Sequence, residues 1–374
     1  KGTLGSPYAV RDYYGINPEF GTMEDFKKLL ATVHRHGMKL IIDLVANHTS
    51  WDNPLITQHP EWYTRDSDVN IIPPNDDWTD VADLDYSQPE LRRYMIGMMK
   101  WWVKDVGIDG FRCDVAELVP TEFWEDARDE LNRIKPVMML SEGTIPEHHM
   151  KAFDITYAWN TYDVLQSLLS GKRPVTVLDE LFRNESLQFP VGSLRMRFTT
   201  NHDKNAWDAP AVELFGSEGL KLATVFINTI PGVPLIYNGE EVANDKKLGL
   251  FEKIDIDWSR SREVGDIYRE LFHLRKNNTA LSRGNMVRLT GSGEDAVYAF
   301  ARVSGKDRVI VVLNFSSEGK SVQLKIPTEE VFGLSTAIVM KELFSGDVKR
   351  LSTKQVAELP LHLSPHGYKL FVIE

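Results

Sequence analysis

Three acidic residues stand where short apolar runs give way to polar ones. Asp114 ends the run that begins at Gly110, Glu142 the run from Val137, and Asp203 the run from Ser193. An acid at the end of a strand has an ordinary role open to it, capping the helix that follows. Three of them, each beside a chemically suited neighbour, ask for a further reading. Arg112 precedes Asp114 by two residues, so on a strand both side chains leave the same face. A guanidinium there favours the ionised carboxylate that a nucleophile needs. Glu142 follows Met138, Met139 and Leu140, an apolar approach of the kind that keeps a general acid protonated. One carboxylate held ionised and another held protonated form the apparatus of glycoside hydrolysis, with roughly 5–5.5 Å between them in retaining enzymes.

The elements that must position these groups follow a regular rhythm. From Met38 onward, short apolar runs alternate with longer amphipathic ones, the pattern of strand–helix units on a parallel sheet. The strand runs are MKLIIDLVAN (38–47), GFRCDVA (110–116), VMMLSEG (137–143), FDITYAW (153–159), SLRMRFTTNHD (193–203) and GVPLIYNGEE (232–241). Helices are expected over 88–107, 120–134, near 160–186, over 218–230 and around 261–278. The strand runs lead into polar or charged residues at or just past their ends, the edge at which (β/α)₈ barrels build their active sites. The fold class is therefore α/β, a (β/α)₈ TIM barrel from 1–48 and 88–279. Residues 49–87, rich in Trp, Asp, Asn and Pro, are too long for a plain connection and are expected to form an inserted domain. Residues 280–374 change to alternating strands with Gly and Ser punctuation, which predicts an antiparallel β-sandwich. Six strands are two short of a closed barrel, and an open remnant exposes pairing edges. The expectation is that residues before Lys1, or a partnering chain, complete the body.

Composition narrows the classes. A chain of 374 residues with 42% hydrophobic and 26% charged residues can bury a core without staples. The formal charge of −11 argues against nucleic acid, whose phosphates need a basic face. No apolar run approaches the roughly 20 residues that span a bilayer. The single cysteine, Cys113, excludes an internal disulfide framework, and its place between Arg112 and Asp114 points it outward, beneath the helices. His148 and His149 are adjacent rather than at metal-ligand spacing and read as surface or subsite residues. Trp51, Trp78 and Trp207 suit either outer sugar platforms or loop anchors.

Six segments, taken in order, resemble the signatures of the α-amylase superfamily, glycoside hydrolase family 13. Four are DLVANH (43–48), GFRCDVAEL (110–118), LSEG (140–143) and FTTNHD (198–203). SPYAVRDYYGINPEFGT (6–22) and ADLDYSQPEL (82–91) are similar to two further ones. The resemblance implies that Asp114 is the nucleophile, Glu142 the general acid/base and Asp203 the third carboxylate, which stabilises the oxocarbenium-like transition state. It implies that Arg112, His48 and His202 bind the sugar at the cleavage point, that Tyr8 stacks on its ring, and that Asp43 supports them. No cofactor is required. Calcium in the family uses an asparagine in the position of Asn47, but Ala116-Glu117-Leu118 lacks the Lys-His pair that usually accompanies it. The function implied is retaining cleavage of α-1,4-glucosidic bonds in starch or maltooligosaccharides. Cyclomaltodextrinase, neopullulanase, α-glucosidase and transglycosylase activities share the apparatus. A non-catalytic glucan-binding or transporter-associated scaffold is the rival of another class; it would not need an intact acid and nucleophile.

Overall fold

A capping box opens the first regular helix. Thr22 Oγ1 accepts from Asp25 N, and Asp25 returns the contact to Thr22 N, so α1 (Met23–Arg35) starts with two of its free donors satisfied. The computed structural model describes residues 5–292, 295–333, 335 and 337–373. The outermost bounds expected for the domains, Lys1 and Glu374, lie outside these. The chain divides into two compact units, the first comprising Lys1–Tyr157, Phe189–Ser193 and Leu250–Lys253.

In the first unit, β1 (Ile41–Leu44) follows α1. The segment that interrupts the rhythm holds β2 (His48–Ser50), the single turn α2 (Leu55–Gln58) and β3 (Val81–Asp83). β2 and β3 pair antiparallel, His48 opposite Asp83. Then come α3 (Pro89–Trp101), β4 (Gly110–Cys113), α4 (Thr121–Asn132), β5 (Met138–Ser141) and β6 (Ile155–Tyr157). β1, β4, β5 and β6 are parallel neighbours in that order. Their register sets Asp43 beside Arg112 and Arg112 beside Leu140. The strand β4 can begin so close to β5 only because residue 110 is glycine: φ is 153° and a Cβ would stand 1.9 Å from Met138 O. The helix α3 continues into one π turn, Trp102–Val106, that stops at left-handed Gly107. Met95, Met98, Met99, Phe111, Cys113, Phe123, Trp124 and Met139 are fully buried and form the centre of this core.

The second unit comprises Ala158–Gln188, Leu194–Gly249 and Ile254–Glu374. The stretch near 160–186 is two helices, α5 (Trp159–Leu169) and α6 (Val177–Gln188). The break falls at Gly171, with φ 68°, and Pro174, the two residue types that most readily stop a helix. β7 (Leu194–Arg197), α7 (His202–Trp207), α8 (Ala211–Thr229), β8 (Val233–Pro234) and α9 (Glu263–Asn277) follow. β7 and β8 are parallel, with Met196 opposite Val233. Beyond them β9 (Asn285–Gly291), β10 (Val297–Ser304), β11 (Asp307–Asn314), β12 (Lys320–Lys325), β13 (Ala337–Glu342), β14 (Val348–Ser352), β15 (Glu358–Leu363) and β16 (Tyr368–Ile373) are joined in one antiparallel sheet. Its order is β14-β13-β16-β11-β10-β9-β12-β15. No described helix is long and apolar enough to cross a membrane.

The buried C-terminus of α8 leaves carbonyls without helical partners, and arginines supply them. Arg275 donates to Asn228 O at 2.8 Å and Gly232 O at 2.9 Å, and Arg302 to Thr229 O at 2.7 Å. Arg197 donates to Pro231 O at 2.9 Å while pairing with Glu185 through both terminal nitrogens. Cations suit this negative end of the helix dipole. Burial, with Arg275 and Arg197 nearby, lowers Arg302 to about 10.

Glu240, just past β8, is a buried acid with a different solution. Burial pushes its carboxyl up to about 8, against the Tyr237 N–H that it accepts. It is protonated when folded and ionised when unfolded over roughly pH 4.5 to 8, so its contribution to stability falls as pH rises through that window. Glu240→Gln keeps a neutral group of the same shape. Its melting temperature should therefore gain on the parent's as pH rises from about 5 to 8 and hold that gain above. A constant difference across the range would show that Glu240 is ionised in the folded protein.

Candidate active site

The side chain of Arg112 leaves β4 at its polar end and is almost wholly buried. Its Nη1 donates to both oxygens of Asp43, at 2.9 and 3.0 Å, and to Asp114 Oδ1 at 2.7 Å. Nη2 lies 2.8 Å from Glu142 Oε2, an ion-pair contact without the alignment of a hydrogen bond. Nε donates to Tyr157 Oη at 3.4 Å. One guanidinium thus faces three carboxylates contributed by β1 and by the residues that end β4 and β5. Glu142 Oε2 also accepts from Val115 N at 2.8 Å. That contact depends on Val115 taking a left-handed conformation, φ 37° and ψ 45°, a strained one for a β-branched residue, costing about 1–3 kcal/mol.

The electrostatics follow from the count of charges. Burial works against the Arg112 charge, but Tyr157, Asp43, Glu142 and Asp114 more than offset it, and its pKa is raised. Asp114 behaves otherwise than its neighbour alone predicts. Burial, then Glu142 and Asp43, raise it to about 8 against the pull of Arg112. Arg112 was expected to favour the ionised form of Asp114, and it does pull in that direction; burial, Glu142 and Asp43 together pull the other way. Tyr157 is pushed up to about 12, chiefly by burial, and keeps its hydroxyl proton.

Tyr8, from the loop before α1, donates to Asp43 Oδ2 at 3.3 Å, and its ring centroid lies 5.7 Å from Arg112 Cζ, within cation–π range. His48 is 3% exposed, and burial pushes it down to about 4. Its imidazole is neutral at pH 7. Asn47 Nδ2 donates to His48 Nδ1 at 3.2 Å, which leaves the ring proton on Nε2. Trp78 lies against His48, centroids 5.6 Å apart. The Asn47 amide nitrogen also reaches Asp83 Oδ1 at 3.5 Å. Among the described residues no group of three or more His, Cys, Asp or Glu is gathered as metal ligands.

His202 and Asp203 belong to the second unit. Asn201 caps α7 by accepting from Lys204 N at 2.8 Å, which sets both residues in the first helical turn. His202 Nε2 lies 3.4 Å from Asp203 Oδ2, and both side chains are partly exposed. Asp203 also adds to the upward shift of Tyr237, after burial. The exposed Trp207 ends the helix.

Thus the structure gathers Tyr8, Asp43, Arg112, Asp114 and Glu142 around one guanidinium, sets Asn47 and His48 together beyond β1, and sets His202 beside Asp203. Sequence reasoning missed Tyr157, the last residue of the observed β6, because the run FDITYAW continues two residues past it. It also read His148 as a surface or subsite residue. His148 is fully buried, bonded to Ser141 Oγ at 2.8 Å through Nδ1 and packed on Phe153. Cys113 is buried as expected.

If Arg112 neutralises this cluster, Arg112→Met should destabilise the fold by about 3–5 kcal/mol, the cost of stripping one partner from a buried ion pair. The loss should be larger at pH 9 than at pH 5, where protonation relieves the repulsion. Chemical denaturation at the two pH values measures this; equal losses at both would remove the electrostatic explanation.

Residues 5–80 and 74–272 match the family profile described as "Alpha amylase, catalytic domain". A maltogenic alpha-amylase from Thermotoga neapolitana, known from its crystal structure, is 34% identical. The likeness covers 100% of this chain and 86% of that one, with a TM-score of 0.89. Among curated proteins, an alpha-amylase of Haloarcula japonica is 27% identical over 86% of this chain and 49% of its own length. A cyclomaltodextrinase of Geobacillus thermopakistaniensis is 23% identical over 98% of this chain and 65% of its own. The chain spans between about half and two thirds of the length of these two curated relatives. With the alternating strands and helices described above and the antiparallel sheet that follows them, the chain belongs to the α-amylase family of glycoside hydrolases and has its barrel fold.

Proposed function

We propose that the protein is a retaining hydrolase of α-1,4-glucosidic bonds in starch or maltooligosaccharides. The observation that carries this is the pairing of Asp114 and Glu142 on the single guanidinium of Arg112. Asp114 attacks the anomeric carbon while Glu142 gives its proton to the departing glycosidic oxygen. A covalent glycosyl-enzyme forms, and the leaving sugar departs with that proton. Water then attacks the same carbon, Glu142 takes its proton, and Asp114 is released. The mechanism needs the transferable proton on Glu142 and an ionised Asp114 when the nucleophile acts. A sugar hydroxyl or leaving oxygen beside Glu142 favours that placement, and Arg112 then serves Asp114 and Asp43.

By its motif, Asp203 is the third carboxylate, stabilising the oxocarbenium-like transition state. Tyr8 is proposed to stack on the sugar at the cleavage point, with Arg112, His48 and His202 binding its hydroxyls. His48, neutral with its proton on Nε2, is a hydrogen-bond donor of the right kind. Asp43 supports Arg112 and Tyr8. If calcium binds near Asn47, its Oδ1 would be the ligand, while Nδ2 keeps its contacts to His48 and Asp83. The cyclomaltodextrinase relative favours a second reading within the class, in which cyclic or short maltooligosaccharides are preferred to starch.

Asp114→Asn should abolish turnover, and Glu142→Gln should slow it about 10²- to 10⁴-fold, the range of general acid–base assistance, with substrate binding spared. Anomeric protons followed by NMR during cleavage of maltotriose and soluble starch should show α product first. Fresh product in the β configuration would end the retaining assignment. Comparing rates on starch, cyclodextrin, pullulan and maltotriose decides between the two substrate readings.

A further inference from the structure

The turn that follows Glu142 is held from outside itself. Glu117 stands three residues after Asp114, in the short 3₁₀ turn Ala116–Leu118. Its Oε1 accepts from Thr144 N, from Thr144 Oγ1 at 3.1 Å and from Ile145 N at 3.0 Å. Three donors on one carboxylate oxygen make a charge-assisted anchor, stronger than neutral hydrogen bonds. The two loops are stitched at further points: Val115 N donates to Glu142 Oε2 and Ala116 N to Glu142 O. Gly143 lies under the Glu117 side chain so closely that a Cβ would stand 2.7 Å from Glu117 Cγ and 2.8 Å from Ser141 Oγ. Farther along the turn, His148 is bonded to Ser141 Oγ. The residue between Ser141 and Gly143 is Glu142 itself.

Glu117 is nonetheless exposed and contributes nothing to the buried core. An exposed acid that gathers three donors from the segment next to the acid/base residue has a geometric task rather than a packing one. We propose that Glu117 is a positioning residue, holding the 143–145 turn so that the Glu142 carboxyl stays at hydrogen-bonding reach of the glycosidic oxygen. This rests on the catalytic reading of Asp114 and Glu142. The side chain length matters: an aspartate keeps the charge but falls short of the turn, whereas a glutamine keeps an acceptor oxygen at the same reach.

The test separates proton donation from the other steps. Glu117→Ala, Glu117→Asp and Glu117→Gln are compared on maltotriose, whose leaving group needs protonation, and on nitrophenyl α-maltoside, whose leaving group scarcely does. Asp114→Asn is measured in parallel, and melting temperatures are recorded for all. Misplacing a catalytic group by about 1 Å costs about 10²-fold. Glu117→Ala and Glu117→Asp should therefore lose between 10- and 100-fold in kcat on maltotriose, with KM changed less than about twofold. On the activated glycoside they should lose only a few-fold, and Glu117→Gln should recover most of the rate. Should Glu117→Ala fail to fold, Glu117→Asp against Glu117→Gln carries the comparison. Equal losses on both substrates, or a lowered melting temperature with unchanged kcat, would overturn the positioning role while Asp114→Asn remains inactive. An active Asp114→Asn would instead overturn the catalytic reading, and this inference with it.

Discussion

A single guanidinium shared among three carboxylates is the constraint on which the candidate site depends. Arg112 meets Asp43, Asp114 and Glu142 within hydrogen-bonding or ion-pair distance, and four charged groups close together cannot all keep their solution behaviour. Each carboxylate alone against Arg112 would be a satisfied ion pair. Three of them leave an excess of negative charge in a buried place, and a proton is the cheapest way to reduce it. Burial first, then Glu142 and Asp43, push Asp114 up in this way.

The barrel strands matter here as a ruler. Parallel pairing places Asp43 opposite Arg112 and Cys113 opposite Ser141, so Asp114 and Glu142 leave adjacent strands one step beyond the last paired residues. Gly110 permits that spacing by letting β4 start against the backbone of Met138. The strain at Val115 belongs to the same arrangement, because the left-handed turn aims its N–H at Glu142. The backbone is fixed first by sheet register and only then bent, over one or two residues, to bring its polar groups to the carboxylates.

Much of this was legible in the amino-acid sequence, for a physical reason. Parallel strands are buried on both faces, so they read as apolar runs, and their polar ends mark where Asp114 and Glu142 emerge. The spacing of Arg112 and Asp114 gave their shared face directly. The upward shift of Asp114 was not legible, because it comes from burial and from Glu142 and Asp43, which other strands bring to it and not any neighbour in the chain. Tyr157 escaped because its run continues two residues past it. His148 was misplaced because adjacent histidines before a polar turn look solvated, while the fold packs one ring on Phe153. The helix Met23–Arg35 went unnoticed although Thr22 and Asp25 signal its start, and the break between α5 and α6 lies in Gly171 and Pro174, whose meaning is local and could have been taken at face value.

The second unit uses arginine to opposite effect, and the comparison clarifies what makes Arg112 functional. Arg197, Arg275 and Arg302 are set against the carbonyls at the end of α8, where partial negative charge is fixed by the helix and cannot titrate. Arg275 and Arg302 are accordingly the two whose own charge burial disfavours, while Arg197 is secured by the carboxylate of Glu185. No proton can move in a cluster of arginines and carbonyls within the working pH range, so such a cluster can only hold structure. Around Arg112 the acceptors are acids in excess, and the burden of burial falls on groups able to exchange a proton. The difference between Arg112 and these fastening arginines lies in its partners: the backbone dipoles at the end of α8 cannot titrate, whereas the surplus carboxylates around Arg112 can.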